Sequence, residues 1–117
     1  MEPVIIYHNP RCSKSRECSI LLDESGIEHE TVKYIDSGIT TGEISGLLKK
    51  LGLEPIGLVR QNEKIWIENY KGKALDDNAI VQAMADHPSL IERPIIVRGD
   101  KAIIGRPPAK ILEFLAG

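Results

Sequence analysis

The opening run Val4-Ile5-Ile6-Tyr7, closed at once by His8-Asn9-Pro10, is what most narrows the folds open to this chain. β-branched and aromatic residues favour a buried strand, and the Asn-Pro step turns the chain at its end. Over residues 13–25 the apolar residues Cys18, Leu21 and Leu22 recur at helical spacing, with Gly26 as the expected stop. Residues 30–35 then read as a second strand. Strand, helix and strand in that order normally leave the two strands parallel, because the helical crossover carries the chain back to the same end of the sheet.

The middle of the chain changes character. Ile44, Leu47, Leu48 and Leu51 lie at amphipathic spacing ahead of Gly52, which predicts a helix of two to three turns entered at Thr41-Gly42-Glu43. Residues 53–59 form a weaker segment. Residues 63–70 read as helix, although Ile65, Trp66 and Ile67 are also strand formers. Asp76 or Asp77 is suited to cap a helix through Ile80, Val81, Met84 and Ala85 that ends at His87-Pro88. Sheet then returns. Two apolar runs, 94–97 and 101–104, flank Arg98-Gly99-Asp100 and predict an antiparallel hairpin. Pro107 and Pro108 suit the first turn of a closing helix striped by Ile111, Leu112 and Leu115. The order βαβ, helices, ββα describes a thioredoxin-like α/β fold: a mixed four-stranded sheet flanked by helices, with a helical insertion between the halves.

At 117 residues the chain matches a single domain spanning 1–117. Its net charge of -2, with no dense Lys/Arg run, gives no electrostatic footprint for nucleic acid. No basic leader with a long apolar core opens the chain and no stretch is long enough to span a bilayer, so a cytoplasmic location without membrane attachment is expected. The two cysteines are too few for a disulfide scaffold or a structural zinc site, and reduced thiols without bound metal are expected.

Cys12 is the residue that carries chemistry. It falls where the unsatisfied N–H groups and positive dipole end of the first helix favour an anionic sulfur. His8, Arg11, Lys14 and Arg16 stand within four residues of it, and Ser13 and Ser15 add hydroxyl donors. A cysteine so placed can have its pKa lowered to roughly 3.5–7.5, which makes thiolate the major species at neutral pH. Polar, cationic, turn-forming neighbours argue that it is exposed rather than a buried structural thiol. Cys18 reads the opposite way, as core. Six residues of helix displace it about 9 Å from position 12, which makes a resolving role awkward. In Cys12-Ser13-Lys14-Ser15 a serine stands where a C-x-x-C dithiol would have its second sulfur, so reducing equivalents must come from outside. A phosphatase-type C-x5-R loop is also absent, since Cys18 occupies the sixth place after Cys12.

The segment His8-Asn9-Pro10-Arg11-Cys12-Ser13-Lys14-Ser15-Arg16 resembles the active-site segment of the glutaredoxin-coupled arsenate reductase family. Leu58-Val59-Arg60, Ile91-Glu92-Arg93-Pro94-Ile95 and Gly105-Arg106-Pro107-Pro108 extend the likeness over the whole chain. Well-studied members tend to carry small residues after the cysteine, where this chain has Ser13-Lys14. The resemblance implies an oxidoreductase that reduces arsenate to arsenite. Cys12 would attack arsenate, Arg60, Arg93 and Arg106 would surround the oxyanion, and His8 and Ser15 would help hold Cys12 as thiolate. Glutathione would serve as co-substrate and glutaredoxin as protein partner, with no bound cofactor and the chain acting as a monomer. Guanidinium groups suit the assignment physically, being permanently charged forks of donors that match a tetrahedral oxyanion. The Arg93-Pro94 bond resembles the cis-proline site of thioredoxin folds. His29 and His87 are given no function.

Two other readings compete. Spx-type RNA polymerase-binding regulators share the expected fold and size, but they typically switch through the C-x-x-C pair missing here. A thiol reductase or transferase acting on another substrate would use the same activated cysteine.

Overall fold

The computed structural model describes residues 3–107 and 109–116. The elements run β1 (Val4–Tyr7), α1 (Ser13–Glu24), β2 (Glu30–Val32), a single turn α2 (Tyr34–Ser37), α3 (Thr41–Leu51), α4 (Lys64–Asn69), α5 (Asp77–Asp86), β3 (Ile95–Arg98), β4 (Lys101–Ile104) and α6 (Lys110–Ala116). Short 3-10 turns occupy Pro55–Leu58 and Pro88–Leu90. Two compact units result. One takes the chain up to Ser37 and again from Arg93, and the other is Gly38–Glu92.

The first unit holds the sheet, in the order β2-β1-β3-β4. β1 runs parallel to β2 and antiparallel to β3, and β3 pairs antiparallel with β4. This is the expected mixed four-stranded sheet, with the βαβ crossover and the hairpin in place. The two-residue alternation of β1 points Val4 and Ile6 to one face, where they pack with Cys18 and Leu22 of α1, Ile96 of β3 and Ile111 of α6. Cys18 and Leu22 share that contact because they are four residues apart on a helix. Burying an aliphatic side chain of this size stabilises a fold by about 1.5–3 kcal/mol, so these few residues hold α1 and its N-terminus firmly on the sheet.

The second unit is helical and corresponds to the expected insertion. Thr40 caps α3 reciprocally: its side chain accepts from Glu43 N–H at 3.1 Å while the Glu43 carboxylate accepts from Thr40 N–H at 3.2 Å. Gly52 ends the helix at φ 69°, a left-handed conformation that glycine adopts without penalty. Asp76 caps α5, accepting from Ala79 N–H at 2.8 Å. Residues 63–70 contain helix α4, whose buried Trp66 stacks on Tyr70 with ring centroids 5.3 Å apart.

Two expected boundaries are corrected. β2 ends at Val32 rather than residue 35, because Lys33 C=O accepts from Asp36 and Ser37 N–H and turns the chain into α2, which buries Tyr34 completely. The last helix begins at Lys110, after Pro107 rather than with it, Pro107 C=O accepting from Lys110 N–H at 3.0 Å. Pro108, also expected in its first turn, lies outside the described residues. The peptide bonds Arg93-Pro94 and Arg106-Pro107 are both cis. No helix among the described residues is long and apolar enough to cross a membrane.

Candidate active site

Cys12 occupies the cap position of α1, with extended backbone (φ −95°, ψ 123°), and its C=O accepts the first helical bond from Arg16 N–H at 3.0 Å. The turn before it is tightly built. Cys12 N–H donates to Asn9 C=O at 3.0 Å and Arg11 N–H donates to the Asn9 side chain at 3.0 Å. Asn9 is 7% exposed, so this turn sits against the protein with its polar groups satisfied.

The expectation of an exposed thiol is corrected. Cys12 is only 9% exposed, although Arg11, Ser13 and Lys14 beside it face solvent. Polar neighbours describe their own positions, whereas the cap residue points inward toward side chains from distant segments. Arg106 Nη2 donates to Cys12 Sγ at 3.2 Å. Arg106 is itself held, its Nε donating to Arg93 C=O at 2.7 Å. Burial pushes the Cys12 thiol up, but the N–H of Ser15, the guanidinium of Arg93 and the N–H of Lys14 more than offset it, and the pKa is lowered. The helix start and two arginines thus act together on one sulfur.

His8 and Ser15 belong to the same network, one step back from the sulfur. His8 Nδ1 and Ser15 Oγ are 2.7 Å apart, and Asn9 N–H donates to the same Oγ at 3.0 Å. Burial lowers the His8 pKa, and the positive charges of Lys33 and Arg16 lower it further, against a partial rise from the backbone of Ser15. A neutral imidazole with its proton on Nε2 accepts at Nδ1 from the serine hydroxyl, which lets Ser15 Oγ donate once and accept once. His8 therefore braces Ser15 rather than supplying a cation.

The structure brings Cys12, His8, Ser15, Arg93 and Arg106 together in the first unit. Arg60 belongs to the second unit. There Nη1 lies 3.3 Å from Glu63 Oε1 and Nε 3.3 Å from Glu92 Oε1, so two carboxylates already partner its charge. The segment carrying it is fixed by bonds from Arg60 N–H to Leu90 C=O and from Glu92 N–H to Leu58 C=O. Cys18, 0% exposed, is in the core as its helical spacing predicted, with a pKa pushed up to about 11 by burial first and the charge of Glu17 next. It stays a neutral thiol. Among the described residues no cluster of three or more His, Cys, Asp or Glu side chains could hold a metal ion. Asn9, placed in the turn by its position before Pro10, was given no part in the site, yet its C=O and side chain hold Cys12 N–H and Arg11 N–H.

A thioredoxin-like fold carrying one lowered-pKa cysteine at a helix cap, with arginines but no second thiol in the C-x-x-C position, defines a single-thiol redox protein of the anion-handling kind. The ArsC family sequence model matches residues 7–114, and the chain belongs to that family. It is 47% identical over 114 residues to the uncharacterized protein YfgD of Escherichia coli K12, covering 96% of each chain. It is 44% identical to an arsenate reductase of Haemophilus influenzae, covering 96% of this chain and 98% of that one. Among solved structures it is similar to an arsenate reductase from Vibrio cholerae, with a TM-score of 0.91, 44% identity and coverage of 96% and 97%.

Proposed function

We propose that this chain reduces arsenate to arsenite through a covalent adduct on Cys12. The observation that carries the reading is Arg106 Nη2 on Cys12 Sγ at 3.2 Å, with Arg93 also acting on that sulfur. Two guanidinium groups beside a thiolate neutralise an incoming oxyanion that the sulfur alone would repel. Arsenate reductase relatives at 43–44% identity over nearly the whole chain support the substrate.

In the first step the Cys12 sulfur forms a bond to arsenic and one arsenate oxygen leaves, protonated, as water. The glutathione thiol adds to arsenic in the same way, and a second oxygen departs as water. A glutaredoxin thiolate then attacks the glutathione sulfur. The glutathione S–As bond breaks with its electron pair left on arsenic, so As(V) becomes As(III) and the two donors share the new disulfide. Water cleaves the remaining S–As bond, releasing arsenite and restoring Cys12. An external reductant suits a chain whose other thiol, Cys18, is buried and protonated. Ser15, braced by His8, orients its N–H toward the thiolate. Arg60, the third arginine of the expected clamp, has its charge partnered by Glu63 and Glu92.

The test is arsenate-dependent oxidation of glutathione by the purified protein with glutaredoxin, and its loss in Cys12→Ser. No turnover with any thiol donor would overturn the substrate assignment. Turnover with thioredoxin but not with glutathione and glutaredoxin would overturn only the reductant.

A further inference from the structure

Cys18 makes one polar contact that its place in the core does not require. Its Sγ–H donates to Gly105 C=O at 3.2 Å, joining residues 87 positions apart. Gly105 is the residue before Arg106, and it is pinned from three sides. Its N–H donates to Pro94 C=O at 2.9 Å, its C=O accepts from Cys18, and a Cβ at this position would sit 3.1 Å from Cys18 Sγ and 3.2 Å from Ile111 Cδ1 and Pro94 Cγ. The peptide from which Arg106 departs therefore lies directly against the Cys18 sulfur.

We infer that Cys18 is a positioning residue for the active site: by holding Gly105 C=O and filling the space against Gly105 Cα, it sets the backbone from which Arg106 reaches Cys12. The chain of contacts is continuous. Cys18 Sγ holds Gly105, Gly105 leads into Arg106, and Arg106 spans from Arg93 C=O through Nε at 2.7 Å to Cys12 Sγ through Nη2 at 3.2 Å. A guanidinium with two fixed anchors tolerates little movement of its own backbone, because hydrogen bonds at these lengths weaken steeply with angle. Cys18 lies on α1 and Cys12 caps it, so one helix holds both the nucleophile and the group that sets its cation. Cys18 is in this account neither nucleophile nor resolving thiol, and its high pKa keeps the S–H donor intact throughout the working range.

The inference rests on the proposed role of Arg106 beside the Cys12 thiolate, and the primary readout needs no substrate. Three variants separate donor from volume. Cys18→Val fills the space without a donor, Cys18→Ala removes both, and Cys18→Ser keeps a donor on a shorter arm. Ultraviolet thiolate absorbance against pH gives the Cys12 pKa in each variant, where Cys12 is the one thiol left, and in the parent, where Cys18 ionises far above that range. We expect the pKa to rise in the Val and Ala variants, lowering the thiolate fraction on the order of threefold below the pKa, with Cys18→Ser closer to the parent. In an Arg106→Ala background the further substitution of Cys18 should leave the Cys12 pKa where Arg106→Ala put it. If all three variants keep the parental Cys12 pKa while losing thermal stability, or if all three shift it equally, or if the shift persists without Arg106, Cys18 is only packing. The arsenate reading is judged separately, by turnover in the parent protein.

Discussion

Arg106 and Cys12, 94 residues apart in the chain, meet at 3.2 Å between Nη2 and Sγ. A hydrogen bond from a charged donor contributes about 1.5–3 kcal/mol, equivalent to roughly one to two pK units on the group it favours. Arg106→Ala should therefore raise the Cys12 pKa, with Arg93 retaining part of the stabilisation. Arg106→Lys keeps a charge but cannot bond Arg93 C=O and Cys12 Sγ together through a rigid fork, and should recover less than half of the shift. Thiolate absorbance against pH reads both variants. An unchanged titration in Arg106→Ala would remove this arginine from the account of thiolate activation.

Gly105→Ala is expected to damage both fold and site. The new methyl would approach Cys18 Sγ, Ile111 Cδ1 and Pro94 Cγ at 3.1–3.2 Å, and Cys18 and Ile111 are fully buried with no solvent to move into. Overpacking of this kind costs about 1–3 kcal/mol. Denaturant unfolding should show that loss, and the Cys12 pKa should rise with it as Arg106 is displaced. Adding Cys18→Ala relieves one of the three contacts, so the double variant should be less destabilised than the sum of the single ones.

Ser15→Ala leaves two buried groups, His8 Nδ1 and Asn9 N–H, without the oxygen that satisfies them. The cost should be about 1–3 kcal/mol. His8 adds a pH signature. Its folded pKa is lowered, so between that value and the ordinary histidine pKa of about 6.5 the unfolded chain binds more protons. Stability is present above that window and is lost as pH falls through it. Urea midpoints measured across mildly acidic pH should fall more steeply for the parent than for His8→Asn, which keeps an acceptor for Ser15 but does not titrate. Equal slopes would show that His8 is not held neutral by the fold.

Elements set by local chemistry were legible in the sequence, and groups set by distant segments were not. β1, α1, α3 and the β3–β4 hairpin follow from periodicity, from the Gly26 and Gly52 stops and from Arg98-Gly99-Asp100, all encoded within a few residues. The end of β2 was misplaced because Tyr34 and Ile35 suit a strand, while Lys33 C=O instead closes a helical turn that buries the Tyr34 ring. Cys12 was recognisable as a nucleophile from its place at the helix start. Its burial was not, since the covering groups come from residues 93 and 106. The neutrality of His8 depends likewise on Lys33, a neighbour only through the parallel pairing of β1 with β2. Cys18 could be assigned to the core from its helical stripe, but its bond to Gly105 could not be read from spacing.

The reciprocal cap of α3 offers a contrast within the second unit. Thr40→Ala removes the oxygen accepting from Glu43 N–H and should cost about 1 kcal/mol. Thermal unfolding should detect it, while the Cys12 titration should stay at the parental value because none of the groups bonded to that sulfur changes. A displaced Cys12 pKa in Thr40→Ala would mean that the thiolate responds to general loss of stability, and pKa shifts in the other variants could then not be ascribed to particular contacts.

The two thiols should oppose each other in alkaline solution. Cys18 has a folded pKa of about 11, above the ordinary thiol value, so the native state holds a proton that the unfolded chain gives up first. Its contribution to stability is complete below the unfolded thiol pKa of about 8.5–9 and is lost as pH rises toward about 11. Cys12 has the reverse sign. Its lowered pKa makes the unfolded chain the more protonated state between the folded and unfolded values, so its contribution grows with pH across that interval and is complete above it. Alkaline loss of stability should therefore be shallower than the parent in Cys18→Val, which has no proton to lose, and steeper than the parent in Cys12→Ser over the lower part of the range. Urea midpoints at matched pH values test both, because lysine and tyrosine titration is common to all three proteins and cancels in the differences. Parallel curves for Cys18→Val and the parent would show that Cys18 ionises as an ordinary thiol and that burial does not raise its pKa.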